Sequence, residues 1–63
     1  MVLYNLYLVL INETIKVYDN ATQSIVYEGS SENIPHELFD ELVHDMTIAH
    51  KKDNRTYFLI NIN

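Results

Sequence analysis

The stretch MVLYNLYLVLI, residues 1 to 11, is apolar apart from Asn5, so whatever element it forms has to be shielded from water on more than one side. At the two-residue period of a strand, Val2, Tyr4, Leu6, Leu8 and Leu10 point one way, and Leu3, Asn5, Tyr7, Val9 and Ile11 point the other. A strand over Val2–Ile11 that is apolar on both faces belongs in the interior of a sheet. It lacks a basic leading segment and a small-residue cleavage site, and it is too short to span a bilayer, so neither a secretion leader nor a membrane anchor is expected.

Shorter periodic pieces follow. Asn12 and Glu13 suit a turn, and TIKVYD (14–19) sets Ile15 and Val17 against Thr14, Lys16 and Tyr18, a strand with one wet face. NATQ (20–23) is turn-like, because asparagine tolerates left-handed backbone and bonds to its own chain. SIVYEG (24–29) is a third strand, closed by the only glycine. SSENIP (30–35) then offers capping side chains and a proline suited to a first helical turn. A helix is predicted from Pro35 to about His50, with Leu38, Phe39, Leu42, Val43, Met46 and Ala49 along one side. Lys51, Lys52 and Arg55 come after it, where the helix dipole favours cations. TYFLININ (56–63) alternates Phe58, Ile60 and Ile62 against Tyr57, Leu59 and Asn61 and is the last strand.

The expected fold is therefore α+β: one domain over residues 1–63, in the order β-β-β-α-β, with one amphipathic helix on one face of a four-stranded sheet. The first strand needs neighbours on both sides, which places the last strand beside and parallel to it and gives the spatial order 4-1-2-3.

A chain of 63 residues buries only about 60% of the surface its unfolded form exposes. It has no cysteine for disulfides and no Cys/His spacing for structural zinc, which leaves association with another chain as the remaining support. One helix cannot cover both faces of the sheet, so the bare face is an interface candidate, with Tyr4, Tyr7, Val9, Tyr18, Tyr27 and Tyr57 as its residues; tyrosine suits both interfaces and solvated strands. A homodimer, or a complex with another protein, formed through that face or through a strand edge, is expected.

Nine acidic and four basic residues leave a net charge of -5, which repels nucleic acid and anionic membranes and favours basic protein partners. The outer side of the predicted helix carries Glu37, Asp40, Glu41, His44 and Asp45, with Ile48 as an apolar anchor among them. Such a stripe reads either as a solvated face or as a contact for a basic surface of the kind that holds nucleic acid. The tripeptides NET, NAT and NRT match the N-glycosylation acceptor, and chance in an Asn-rich chain accounts for them.

Enzymatic motifs are missing. There is no cysteine nucleophile, no G-x-S-x-G around Ser24, Ser30 or Ser31, no glycine-rich phosphate loop and no H-E-x-x-H, of which HELFD copies only a fragment. His36, Asp40 and His44 recur every four residues, but on a helix the two histidines stand about 12 Å apart, and either pair supplies two ligands where zinc takes three or four. No metal and no cofactor are expected. The function expected is a non-enzymatic protein-interaction module in the cytoplasm; a self-assembling scaffold subunit is the alternative, and a metal-dependent hydrolase comes last.

A short acidic chain crowded with Asn, Ile and Tyr and lacking Cys and Trp resembles, in overall style, the small accessory proteins of bacteriophages and mobile elements of AT-rich hosts. That resemblance implies a protein that acts by binding, as an inhibitor or modulator of a host protein.

Overall fold

A computed structural model of the protein describes residues 1–50, 53 and 55–63; Lys51 and Lys52, the cations placed after the predicted helix, lie outside the described residues. The fold is α+β, with one α-helix and a four-stranded mixed sheet among the described residues. Helix α1 spans Leu3–Val9, and strands β1 (Thr14–Asp19), β2 (Ser24–Ser30), β3 (Val43–His50) and β4 (Thr56–Ile62) form the sheet. Residues 31–42 cross from β2 to β3 through two single 3-10 turns, Ser31–Asn33 and His36–Leu38. No helix among the described residues is long and apolar enough to cross a membrane.

The first eleven residues are thus a short helix and not a strand. Nearly every residue there is apolar, so periods of 2 and 3.6 fit equally well, and alternation alone cannot choose between them. Leucine is among the better helix formers, and Leu3, Leu6, Tyr7 and Leu10 fall at the i, i+3, i+4, i+7 spacing of one helix face. Leu3 and Leu6 are buried, with Tyr7 and Leu10 packed against the core beside them. The amide of Val2 donates to Asn5 Oδ1 (3.1 Å) at the helix start. The amides of Leu3 and Tyr4, which have no intrahelical acceptor, donate to the carbonyls of Glu41 (2.9 Å) and Phe39 (3.1 Å). Asn12, in the left-handed region at φ 59°, turns the chain out of the helix.

The predicted helix over Pro35–His50 is also replaced. Only His36–Leu38 makes a helical turn, and Val43–His50 is a strand paired antiparallel with β4. Its β-branched Val43, Thr47 and Ile48 favour a pleated surface over a helix. Pairing sets Val43, Met46 and Ile48 opposite Ile62, Ile60 and Phe58, an apolar match that helical spacing of the same residues would forfeit.

The strand order is β2-β1-β4-β3, not 4-1-2-3. β1 and β2 pair antiparallel, β3 and β4 pair antiparallel, and β4 lies parallel to β1, so the fold is two strand pairs joined along their inner members. The expected order followed from an N-terminal strand that does not exist. The last strand does run parallel to an earlier one, which is Thr14–Asp19.

Ile15, Val17, Ile60 and Ile62 project from one face into a core completed by Leu3, Leu6 and Ile34. Helix α1 and the 31–42 crossover together form the covering layer. On this face Gly29 sits under the Tyr27 ring: an added Cβ would stand 3.0 Å from Tyr27 Oη, and the backbone there has φ +152°. The Tyr27 hydroxyl donates to the Ser30 carbonyl (2.6 Å).

Ser31 is fully buried where β2 meets the crossover. Its amide donates to the Glu13 carbonyl (2.8 Å), and its Oγ accepts from the Glu13 amide (3.2 Å), locking the entry to β1 against the exit from β2. Ser31→Ala removes one acceptor from this reciprocal pair and is expected to destabilise the fold by about 1 kcal/mol. A lower urea midpoint at unchanged slope is the reading to look for; an unmoved midpoint would show that water replaces the hydroxyl without cost.

Candidate interaction surface

The structure redistributes the residues that the sequence groups into an acidic helix and a tyrosine-bearing sheet. Glu37, Asp40 and Glu41 lie in the crossover, whereas His44, Asp45 and Ile48 belong to β3, so the six do not form one stripe. Tyr4, Tyr7 and Val9 are on α1, Tyr18 and Tyr57 are on the sheet face away from the helix, and Tyr27 is on the covered face. The proposed tyrosine surface is therefore split among three places.

The uncovered sheet face is dressed with polar contacts. Lys16 Nζ is 3.1 Å from Glu28 Oε2 and 5.1 Å from the centroid of the Tyr57 ring, and Asn61 Nδ2 donates to Asp45 Oδ1 on the neighbouring strand. Those contacts give this face the character of an ordinary solvated sheet surface, and they weaken the expectation that it is the main contact.

The covering layer is different. Phe39 is the hub of a ring cluster, with centroids 4.8 Å from Tyr7, 5.2 Å from Tyr4 and 5.0 Å from His36, and Tyr4 stacks on Tyr7 at 5.9 Å. The bonds from Leu3 and Tyr4 to the crossover hold these rings together, so α1 and residues 36–41 act as one surface. Beside the rings is an open groove of about 400 Å³ lined by Tyr7, Leu8, Leu10, Ile11 and Glu32. Leu8, Val9 and Ile11 are each more than half exposed. Phe39, Leu8, Ile11 and Glu32 were not among the candidates read from sequence. The signal for Leu8 was the helical spacing of Leu3, Leu6, Tyr7 and Leu10, which turns Tyr4 and Leu8 outward one turn apart; no sequence pattern pointed to Phe39, Ile11 or Glu32.

No family model, curated protein or solved structure matches the chain. The physical properties of the surface carry the functional reading.

Charge is the most telling of them. Of nine acidic and four basic residues, Glu13, Glu32, Glu37, Asp40 and Glu41 lie in residues 1–13 and 31–42, which contain no Lys or Arg. The remaining segments hold four acids and four bases, so the whole net charge of -5 belongs to the helix, its exit and the crossover. Glu41 is tied to the end of β4, accepting from Asn63 Nδ2 (2.8 Å), whereas Glu32, Glu37 and Asp40 are exposed. Among the described residues no three His, Asp or Glu side chains come together as a metal site. His36 and Asp40 lie in the crossover and His44 at a bulge on β3, so the four-residue rhythm that suggested ligands is not displayed on a helix.

The molecule is fully compacted, with an accessible surface of 4311 Å² against about 4,200 Å² for a monomer of its mass. Even so, ten large apolar side chains are exposed among the described residues while seven hydrophobics are buried. Exposed apolar surface on this chain is a feature of its sequence and not of a loose fold.

Proposed function

We propose that the protein is a non-enzymatic interaction module whose helix–crossover layer binds a basic polypeptide surface carrying apolar anchors. The observation that carries this reading is the concentration of the entire net charge on the layer that also exposes Leu8, Val9 and Ile11 beside a groove. Apolar contacts supply affinity there, and carboxylates at the rim steer a cationic partner and reject acidic ones. A cytoplasmic protein that occupies a host protein's basic surface, as an inhibitor or modulator, fits both this layer and the compositional likeness to phage-type accessory proteins.

The test uses two synthetic helical peptides with the same leucine spacing, one with lysine and one with glutamate on its polar face, titrated into isotope-labelled protein. Binding of the lysine peptide is expected, with resonance shifts at Tyr4, Leu8, Ile11 and Glu32. Glu37→Lys with Asp40→Lys is expected to weaken it roughly tenfold at low salt and much less at 0.5 M salt, where the screening length is about 4 Å. Equal response to both peptides, or shifts confined to Tyr18 and Tyr57, would overturn the assignment.

A further inference from the structure

We propose that the outer edge of β3 is a self-association site, at which two copies join antiparallel through His44–His50 about a two-fold axis at Thr47. This contact uses none of the residues assigned to the basic partner, and the two readings stand or fall separately.

β3 is an outermost strand, paired on one side with β4. Among the described residues its other edge is covered only at its start, where the Val43 amide donates to the Met1 carbonyl (2.8 Å) and Val2 bridges to Leu42. No described residue pairs with that edge from His44 to His50. Free strand edges are ordinarily guarded by Lys, Pro, a bulge or a covering element. The opposite edge, β2, has such a guard: its ladder slips between Ile25 and Tyr27, leaving Val26 as an extra residue in mid-strand. In β3 the slip comes at His44, the second residue, and the run Asp45–His50 is regular, free of Pro, Gly and Lys, and exposed from Asp45 through Ile48.

The side chains select the register. Met46 and Ile48 project to the helix side of the sheet, opposite Ile60 and Phe58 of β4, yet they are 38% and 62% exposed. Pairing Thr47 with Thr47 of a second copy sets Met46 against Ile48 of that copy and Ile48 against its Met46, closing four apolar side chains over one another. Shifting the axis by one residue, to Met46, would instead oppose Ile48 to His44. The Thr47 axis also faces Asp45 with Ala49, so two chains of charge -5 meet without carboxylate opposing carboxylate. Finally, Thr47 is the midpoint of His44–His50, the length of edge that the Met1–Val2 cover leaves open. Register and free length thus place the axis at the same residue.

A seven-residue ladder with two apolar pairs lies at the small end of specific interfaces, below about 1,200 Å² in total, and dissociation in the micromolar range is expected. Sedimentation of the intact chain from roughly 1 µM to 1 mM should show a monomer passing to a dimer and no further, because the geometry is closed. The chain has no cysteine, so Thr47→Cys introduces a single thiol. Opposed Cα atoms in a ladder are about 4.5–5.5 Å apart, within disulfide reach, and mild oxidation should link this variant at least roughly tenfold faster than Asp45→Cys, whose thiol and its symmetry mate stand about 13 Å apart. Ile48→Lys should abolish dimer and cross-link while leaving a folded monomer that loses no more than its Phe58 pairing, and Glu37→Lys with Asp40→Lys should dimerise normally. A monomer at every concentration, open-ended assembly, or equal cross-linking of the two thiol variants would each overturn the site.

Discussion

Leu3→Lys is expected to leave the chain unfolded, whereas Val9→Lys is expected to keep its stability within about 0.5 kcal/mol of the parent. Both residues fall on the same face of an N-terminal strand, so a strand would suffer equally from either change. In α1 they are on different sides: Leu3 is completely buried and Val9 is 69% exposed. Lysine at Leu3 forfeits about 2–3 kcal/mol of apolar burial and drives an unpaired ammonium into the buried cluster to which Ile15 and Ile62 belong, at several kcal/mol more. A domain of this length holds only roughly 3–9 kcal/mol in total, so that loss empties the native state. At Val9 the new ammonium reaches water near the C-terminal end of the helix, where the dipole favours it slightly. Far-UV circular dichroism through a urea titration separates the two cases, and equal damage from both substitutions would remove the helix.

The segments legible in the sequence were those whose two faces differ. TIKVYD alternates apolar against polar and folds as read, with Ile15 and Val17 inward and Lys16 and Tyr18 outward. SIVYEG and TYFLINI are likewise strands where alternation places them. These segments supply three of the four strands; the fourth strand and the helix complete the α+β fold, but each was expected where the other stands. The two segments that misled are those in which apolar residues satisfy both periods. In residues 1–11 there is too little polar contrast to reveal one. In residues 35–50 the positions 38, 39, 42, 43, 46 and 49 fit a helix, while 43, 46 and 48 fit a strand with a slip at His44. What chose between them was β4, a partner far away in sequence whose Phe58, Ile60 and Ile62 match the strand. Helix and strand exchanged places, and the layer count survived because the sheet needs a cover whichever segment supplies it.

The candidate surface was legible in chemistry and not in location. Tyrosines, carboxylates and exposed aliphatics were the residues singled out, but their grouping depended on the elements that carry them. Once α1 replaced the first strand, Tyr4, Tyr7 and Val9 joined the crossover carboxylates Glu37 and Asp40 in one layer, and Tyr18 and Tyr57 stayed behind on a wet face.

The position of the last strand offers the second large effect. An order of 4-1-2-3 puts Thr56–Ile62 at the margin of the sheet, where alternate amides face water and hydrogen exchange is protected at every other residue. In the structure β4 lies between β1 and β3, paired with Ile15–Asp19 on one side and with Val43–His50 on the other. Consecutive amides from Phe58 to Ile62 are then all protected, while β2, which pairs only with β1, keeps the alternating pattern. Leu59→Pro sharpens the contrast. Proline is tolerated on a strand edge whose N–H faces solvent, but in mid-sheet it deletes a ladder bond and strands a carbonyl. Leu59 is flanked by Lys16 on β1 and Thr47 on β3, so the substitution should cost at least about 3 kcal/mol and unfold most of the population. A folded Leu59→Pro chain with alternating protection along β4 would return that strand to the margin and take with it the placement of β3 as the outer edge.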